Sequence, residues 1–221
     1  MQKIKMNAEV VKIVSFLTFD GHLAEDLKGF YFSSKNRYIL EELERITKKN
    51  LSIVGRYEKG MGYGKSTKFR CFNRDVCRSL QNLGVPRGSK VKKEFLVPEW
   101  IIKEKEFSRQ YLQTAFDCEG SIWFENQPKI RFGICKTVPL LNNGLEFTEQ
   151  LKNMLKKFGV KTSESWLIKA NERKDGETTK GIYFKILQGS IQTYAKEIGF
   201  SDRFKNERLT SVFNYSKDGI R

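Results

Sequence analysis

The run Ile13-Val14-Ser15-Phe16-Leu17-Thr18-Phe19-Asp20-Gly21 decides the fold, and Leu112-Gln113-Thr114-Ala115-Phe116-Asp117-Cys118-Glu119-Gly120 echoes it. Each is an apolar stretch that closes on one carboxylate and a glycine. The first extends back through Val10 and Val11, so apolar residues run almost all round a helix expected over about 8–20, with Asn7 as its cap. A helix that is apolar on every side belongs in an interior or an interface. Its C-terminus disfavours negative charge, and a carboxylate there calls for a cation. Two such helices point to one shared site, with Asp20 and Glu119 as its metal-binding acids.

Working outward, the segments after each glycine follow one plan. His22–Glu25 and Gly29–Ser34 read as a hairpin, Arg37–Lys49 as a helix capped by Asn36, and Leu51–Tyr57 with Ser66–Phe72 as a second hairpin. The turn between those last strands, Gly60-Met61-Gly62-Tyr63-Gly64 with Lys65-Ser66, superficially suggests a phosphate loop. Its glycine spacing does not match one, and no helix follows the Lys-Ser pair, so a flexible hairpin tip is the reading. Asp75–Leu83 is a helix that stops at Gly84, and 85–106 reads as a linker. The plan then repeats: a helix over Phe107–Glu119, strands Ser121–Glu125 and Lys129–Thr137, a helix Asn142–Phe158, strands Thr162–Ala170 and Gly181–Leu187, and a helix Ile191–Ile198 ending at Gly199. A basic helix, Asp202–Tyr215, is extra to the second half.

The expectation is therefore an α+β protein of two α-β-β-α-β-β-α halves, 1–84 and 107–221, joined by the linker. Lys35 lies fourteen residues after Gly21 and Lys136 sixteen after Gly120, while Arg70 and Lys185 each lie fourteen before Gly84 and Gly199.

With 41 Lys and Arg against 26 Asp and Glu, the net charge of +15 favours a polyanionic partner, nucleic acid first. No apolar run spans a bilayer, and the polar start is no signal peptide, so an intracellular protein is expected. Four scattered cysteines and one histidine argue against a zinc site and against Cys-His catalysis, leaving free thiols.

Two carboxylates from two helix ends fit a hard divalent ion, Mg²⁺ or Mn²⁺, which completes its shell with water and phosphate oxygens. The reaction class is phosphodiester hydrolysis. The hairpins supply the binding surface. Lys68 and Arg70 alternate along one strand and Lys129 and Arg131 along another, and a basic ribbon of this kind fits a DNA major groove. Lys28, Arg56, Lys65, Lys169, Arg173, Lys180 and Lys185, in and beside the hairpins, complete the candidate DNA contacts. Individually, most lysines are loose phosphate contacts rather than base readers. Trp100, Trp123 and Trp166 read as core or linker anchors.

These residues resemble the LAGLIDADG homing endonucleases in their single-chain, two-motif form. Ile13–Gly21 and Leu112–Gly120 stand where the two motifs would be, Phe116-Asp117-Cys118-Glu119-Gly120-Ser121 being the closer match. Val97-Pro98-Glu99-Trp100-Ile101 is similar to the segment before a second motif. The resemblance covers about Ala8 to Phe200. It implies a monomer with pseudo-twofold symmetry, motif helices packed at the centre, and two saddle-shaped antiparallel sheets on double-stranded DNA. It further implies a metal-dependent double-strand break at a long asymmetric site, with short 3′ overhangs, in intron- or intein-associated homing. Asp20 and Glu119 fall on the motif's metal acids, with the carbonyls of Phe19 and Cys118 as extra ligands. Lys35, Lys136, Arg70 and Lys185 resemble the basic residues around the active centre. Phe19 is bulky where the motif favours a small residue, which bears on how closely the first helix packs. Asp117 is expected to cap or hydrogen bond. The alternative is a DNA-binding protein without cleavage, or an RNA-binding intron maturase on the same scaffold.

Overall fold

A computed structural model describes residues 4–59, 66–125 and 127–218, with side chains to 211. The hairpin tip at 60–65, including Lys65, lies outside the described residues. The first half runs α1 (Ala8–Thr18), β1 (Gly21–Leu23), β2 (Phe30–Ser34), α2 (Arg37–Leu51), β3 (Arg56–Lys59), β4 (Thr67–Cys71) and α3 (Arg74–Asn82). A 3₁₀ turn, Lys90–Lys92, and a short helix α4 (Glu99–Lys103) follow. The second half runs α5 (Lys105–Glu119), β5 (Gly120–Phe124), β6 (Pro128–Thr137), α6 (Leu141–Lys157), β7 (Trp166–Leu167), β8 (Asn171–Glu172), β9 (Thr178–Ile186), α7 (Ile191–Glu197) and α8 (Arg203–Asp218).

Both sheets are antiparallel, with orders β1-β2-β4-β3 and β5-β6-β9-β7, and β8 also on β9. Their registers match. Gly21 faces Phe32 and Phe32 faces Phe69; Gly120 faces Phe132 and Phe132 faces Phe184. Because side chains alternate along a strand, these phenylalanines line the inner faces and their neighbours line the outer faces. The fold is the expected α+β duplication.

Helix α1 packs against α5 at the centre. The side chain of Asn7 accepts the Val10 N–H at 2.9 Å, and from Val10 through Thr18 only Lys12 is not buried. Three hydroxyls at this interface are satisfied locally: those of Ser15, Thr18 and Thr114 donate to the carbonyls of Val11, Val14 and Gln110. Such bonds to residue i−4 let polar groups lie in an interface without losing a partner.

Phe19 does not stand between the helices. Helix α1 ends at Thr18, and the Phe19 ring enters the second half, 5.6 Å from Tyr111, 6.1 Å from Phe132 and 6.2 Å from Phe147. The bulky residue thus locks the halves together rather than separating them. The motif glycines answer a close approach of backbone: a Cβ on Gly120 would lie 2.3 Å from the Phe116 carbonyl oxygen.

Two expectations need correction. Asn36 sits at the start of α2, but its side chain makes no cap bond and donates to Asp202 Oδ2 at 3.1 Å. The strand expected over Thr162–Ala170 is broken. There the Ser163 hydroxyl accepts the Lys185 N–H at 3.0 Å, a side-chain bond that displaces the regular ladder. The 85–106 linker is itself an ordered strap. Lys93 and Arg87 pair with Glu25, Lys92 pairs with Asp175 and Glu177, and Trp100 Nε1 donates to the Leu83 carbonyl at 3.0 Å. Each half therefore holds the strap.

Candidate functional site

Asp20 and Glu119 converge where the two motif helices end. Helix α5 runs to Glu119, whereas α1 stops two residues before Asp20, so one acid ends a helix and the other follows a bend. Both side chains keep solvent access. Burial of their surroundings nevertheless raises both carboxyls above the ordinary range, Glu119 to about 7, and the Asp20 charge raises Glu119 further. The Cys118 thiol hydrogen bonds Asp20 and opposes this for Asp20; Lys90 and Lys205 oppose it for both.

Those two lysines are absent from the sequence-based expectations. Lys90 Nζ, on the strap, donates to the carbonyls of Phe19 and Gly21, the latter at 2.8 Å. Lys205 Nζ, on α8, donates to the carbonyls of Phe116, Asp117 and Gly120 at 3.1, 2.5 and 2.7 Å. Each satisfies carbonyls at the end of a motif helix and sets a positive charge beside the acids. A signal is present, because Lys90 follows Gly84 and Lys205 follows Gly199 by the same six residues. It is obscured because one lies in apparent linker and the other in the apparently extra helix.

Asp117 fixes that helix. It accepts the backbone N–H groups of Ser201 and Asp202, both at 3.0 Å, and the Ser201 hydroxyl. Asp202 in turn caps α8 through the Lys205 N–H at 3.0 Å. The structural role expected for Asp117 is what the structure displays.

Lys35 is exposed and lines a cavity of about 400 Å³ shared with Asp20, Asp117 and Cys118. Lys136 is not brought to the acids. It shares strand parity with Phe132, so it points inward, is fully buried, and donates to the Lys90 and Lys93 carbonyls at 3.1 and 2.5 Å. The Phe19 carbonyl accepts from Lys90 Nζ.

Arg70 and Lys185 occupy equivalent registers, opposite Tyr31 and Arg131, on the outer faces of their sheets. The first outer face carries the row His22, Tyr31, Arg70, Arg56, with Lys68 beside it. Lys68 lies over the Tyr31 ring at 4.4 Å, and Arg56 over Phe72 at 5.2 Å. On the second, Arg131 sits between Trp123 and Tyr183, at 5.4 and 4.6 Å, Lys185 lies over Trp166 at 5.3 Å, and Lys129 pairs with Trp123 across the strands. Trp123 and Trp166 are therefore platforms for cations rather than core anchors, since strand parity turns them away from Ile122 and toward the basic face. Of the three tryptophans, Trp100 is the one that anchors the strap. Lys28, Lys169 and Arg173 stand exposed on loops, and Lys180 faces Lys136 across the strands. Glu58 holds Arg56 at 2.8 Å and Arg70 at 3.2 Å, so part of the first face is neutralised internally.

The carboxylate and carbonyl oxygen donors suit a hard divalent ion better than a soft one. Among the described residues no cluster of three or more His, Cys, Asp or Glu side chains could hold a metal, so an ion on Asp20 and Glu119 would take its remaining ligands from carbonyls, water or a bound phosphate. Also among the described residues, no helix is long and apolar enough to cross a membrane. The four cysteines are free.

The architecture is a LAGLIDADG-like fold. It matches full-length DUF199/WhiA (from "Thermatoga maritima") with a TM-score of 0.55 at 13% identity, covering 99% of this chain and 67% of that one. It matches the N-terminal LAGLIDADG domain of DUF199/WhiA with a TM-score of 0.53, covering 92% and 89%. In sequence, the chain is 30% identical over 185 residues to a tRNA-splicing ligase RtcB of Pyrococcus furiosus, covering 75% of this chain and 18% of that protein. It is 30% identical over 213 residues to the RNA polymerase subunit Rpo1N of Methanocaldococcus jannaschii, covering 89% and 15%. The chain thus spans under a fifth of the length of these two curated relatives. No family model matches it.

The acid pair has a measurable cost. An unfolded chain ionises Glu119 near the ordinary 4.5, whereas the folded chain does so near 7, so stability is lost as pH rises through that window. Asp20→Asn removes the repulsion and stabilises the metal-free protein at pH 7.5 by on the order of 1 kcal/mol, discounted because the carboxylates reach solvent, or about 2–4 °C in Tm. Thermal melts in EDTA check this, with an unchanged or lower Tm as the contrary result.

Proposed function

We propose that the chain binds double-stranded DNA across the outer faces of its two sheets and hydrolyses a phosphodiester bond in each strand beneath the ends of α1 and α5, as a Mg²⁺- or Mn²⁺-dependent homing endonuclease. The observation that carries cleavage is the convergence of Asp20 and Glu119, two carboxylates raised by burial and flanked by two half-buried lysines. A protein that only binds polyanions gains nothing from placing two repelling acids at its centre.

Asp20 and Glu119 would hold the divalent ion. When bound, the ion polarises the scissile phosphate and lowers the pKa of a coordinated water. The chain does the rest. Arg56, Lys68, Arg70, Lys129, Arg131 and Lys185 engage phosphates and base edges, and the aromatic rings beneath the arginines pre-organise them. The strap and α8 hold Lys90 and Lys205 where negative charge develops. One chain supplies both halves, so a monomer suffices for both strands.

Similarity of one segment to parts of a ligase and a polymerase subunit, whose chemistries differ, supports a self-contained insert that moves between host genes, as intein- or intron-associated homing requires. The second reading, DNA binding without cleavage, is supported by the fold likeness to WhiA, because fold and basic faces alone support binding.

Purified protein is incubated with a duplex target library and Mg²⁺, and bound and cut molecules are sequenced separately. The expected result is selected targets cut in both strands by the wild type, and bound with similar affinity but uncut by Asp20→Asn. Tight selection without cutting, with Asp20→Asn changing nothing, establishes the binding reading instead.

A further inference from the structure

We propose that Lys136 is the positioning residue for Lys90: a buried ammonium that fastens the strap by its backbone and so fixes the cation at the end of α1. This rests on the reading of Lys90 as a cation of the catalytic centre.

Lys136 is wholly buried, and its Nζ donates to two strap carbonyls, Lys90 at 3.1 Å and Lys93 at 2.5 Å. It also lies 3.8 Å from the centroid of the Phe95 ring, on the same strap. Its stem fills the space above Gly144, where an added Cβ would meet Lys136 Cγ at 2.8 Å. One lysine therefore grips three points of the strap, 90, 93 and 95. From residue 90 a second lysine side chain reaches out to the Phe19 and Gly21 carbonyls.

Burying an ammonium is costly unless its protons are satisfied, and here desolvation lowers its pKa to about 8. Among the charged groups nearby, Glu94 alone acts to raise it; Lys92 and Lys93 are turned to Asp175, Glu177 and Glu25. An apolar residue would fill this place on the inner face of β6 at no such cost. What the ammonium adds is directional: it fixes carbonyl positions in a segment with few regular backbone bonds.

The second half solves the same problem differently. Lys205 lies in the first turn of α8, whose entry is held by Asp117 through the Ser201 and Asp202 N–H groups and whose first turn is capped by Asp202. Lys205 is thus an internal control. A change at Lys136 that acts through the strap must move Lys90 and leave Lys205 alone.

The test labels amines with formaldehyde and a borane reductant and quantifies Lys90 and Lys205 by peptide mass spectrometry, in the wild type and in Lys136→Met. The expected result is a several-fold faster modification of Lys90 with Lys205 unchanged. Unchanged Lys90, or an equal rise at both lysines, overturns the proposal. Should Lys136→Met fail to fold, Lys136→Gln, which keeps a polar side chain but is too short to reach both strap carbonyls, is read by the same ratio with the same two outcomes. The labelling needs neither DNA nor cleavage, so the ratio decides the role of Lys136 even if no target is ever cut. Where the wild type cuts, Lys136→Met slows cleavage about 10- to 100-fold with target affinity unchanged.

Discussion

Phe19→Ala lowers the unfolding free energy by about 3–5 kcal/mol, among the largest effects of any single truncation. The residue follows α1 yet buries its ring among Tyr111, Phe132 and Phe147 of the other half. Its loss opens a cavity between the halves, where neither core can relax to fill the space. For a chain of 221 residues the expected drop in Tm is on the order of 10 °C. Urea denaturation of Phe19→Ala beside Phe16→Ala separates the two roles, because Phe16 packs on Phe32 of its own half. Phe16→Ala should keep a single transition, whereas Phe19→Ala should broaden or split it as the halves unfold less cooperatively. A cost below about 1 kcal/mol for Phe19→Ala would show that the ring is not the lock.

Lys90→Met and Lys205→Met each slow cleavage of a selected target by about 10²–10³-fold, with affinity changed only a few-fold. Each substitution removes a charge beside the acids and leaves helix-end carbonyls without a donor. The substitutions also raise the Asp20 and Glu119 carboxyls further, because both lysines lower them in the wild type. The pH at which half-maximal cleavage is reached therefore moves upward in both variants. Single-turnover rates across pH 6–9 measure both effects. Equal rates for wild type and variants would confine these lysines to a structural part and leave the acid pair alone to carry cleavage.

The two predictions bear on different kinds of information. The repeated motif, its acids, the order of elements in each half and the central place of α1 are all legible in the sequence, because they depend on local periodicity and on a pattern that occurs twice. The matched registers of Arg70 and Lys185 are legible too, as equal distances from Gly84 and Gly199. Strand parity is enough to assign Lys136 inward from Phe132, and Trp123 outward from Ile122. The rule applies to both, and the resemblance of Lys136 to an active-site lysine obscures it.

What only the tertiary structure decided is which distant groups meet. Nothing local marks the strap as ordered, because its bonds run to Glu25, Gln150 and Asn143, far away in sequence. Nothing local shows that Phe19 belongs to the core of the other half, or that α8 returns a lysine to the end of α5. Local composition fixes whether a residue is apolar, charged or helix-ending. The partner that satisfies it is set by the closure of two halves on each other, and that closure placed Lys90 and Lys205 beside Asp20 and Glu119.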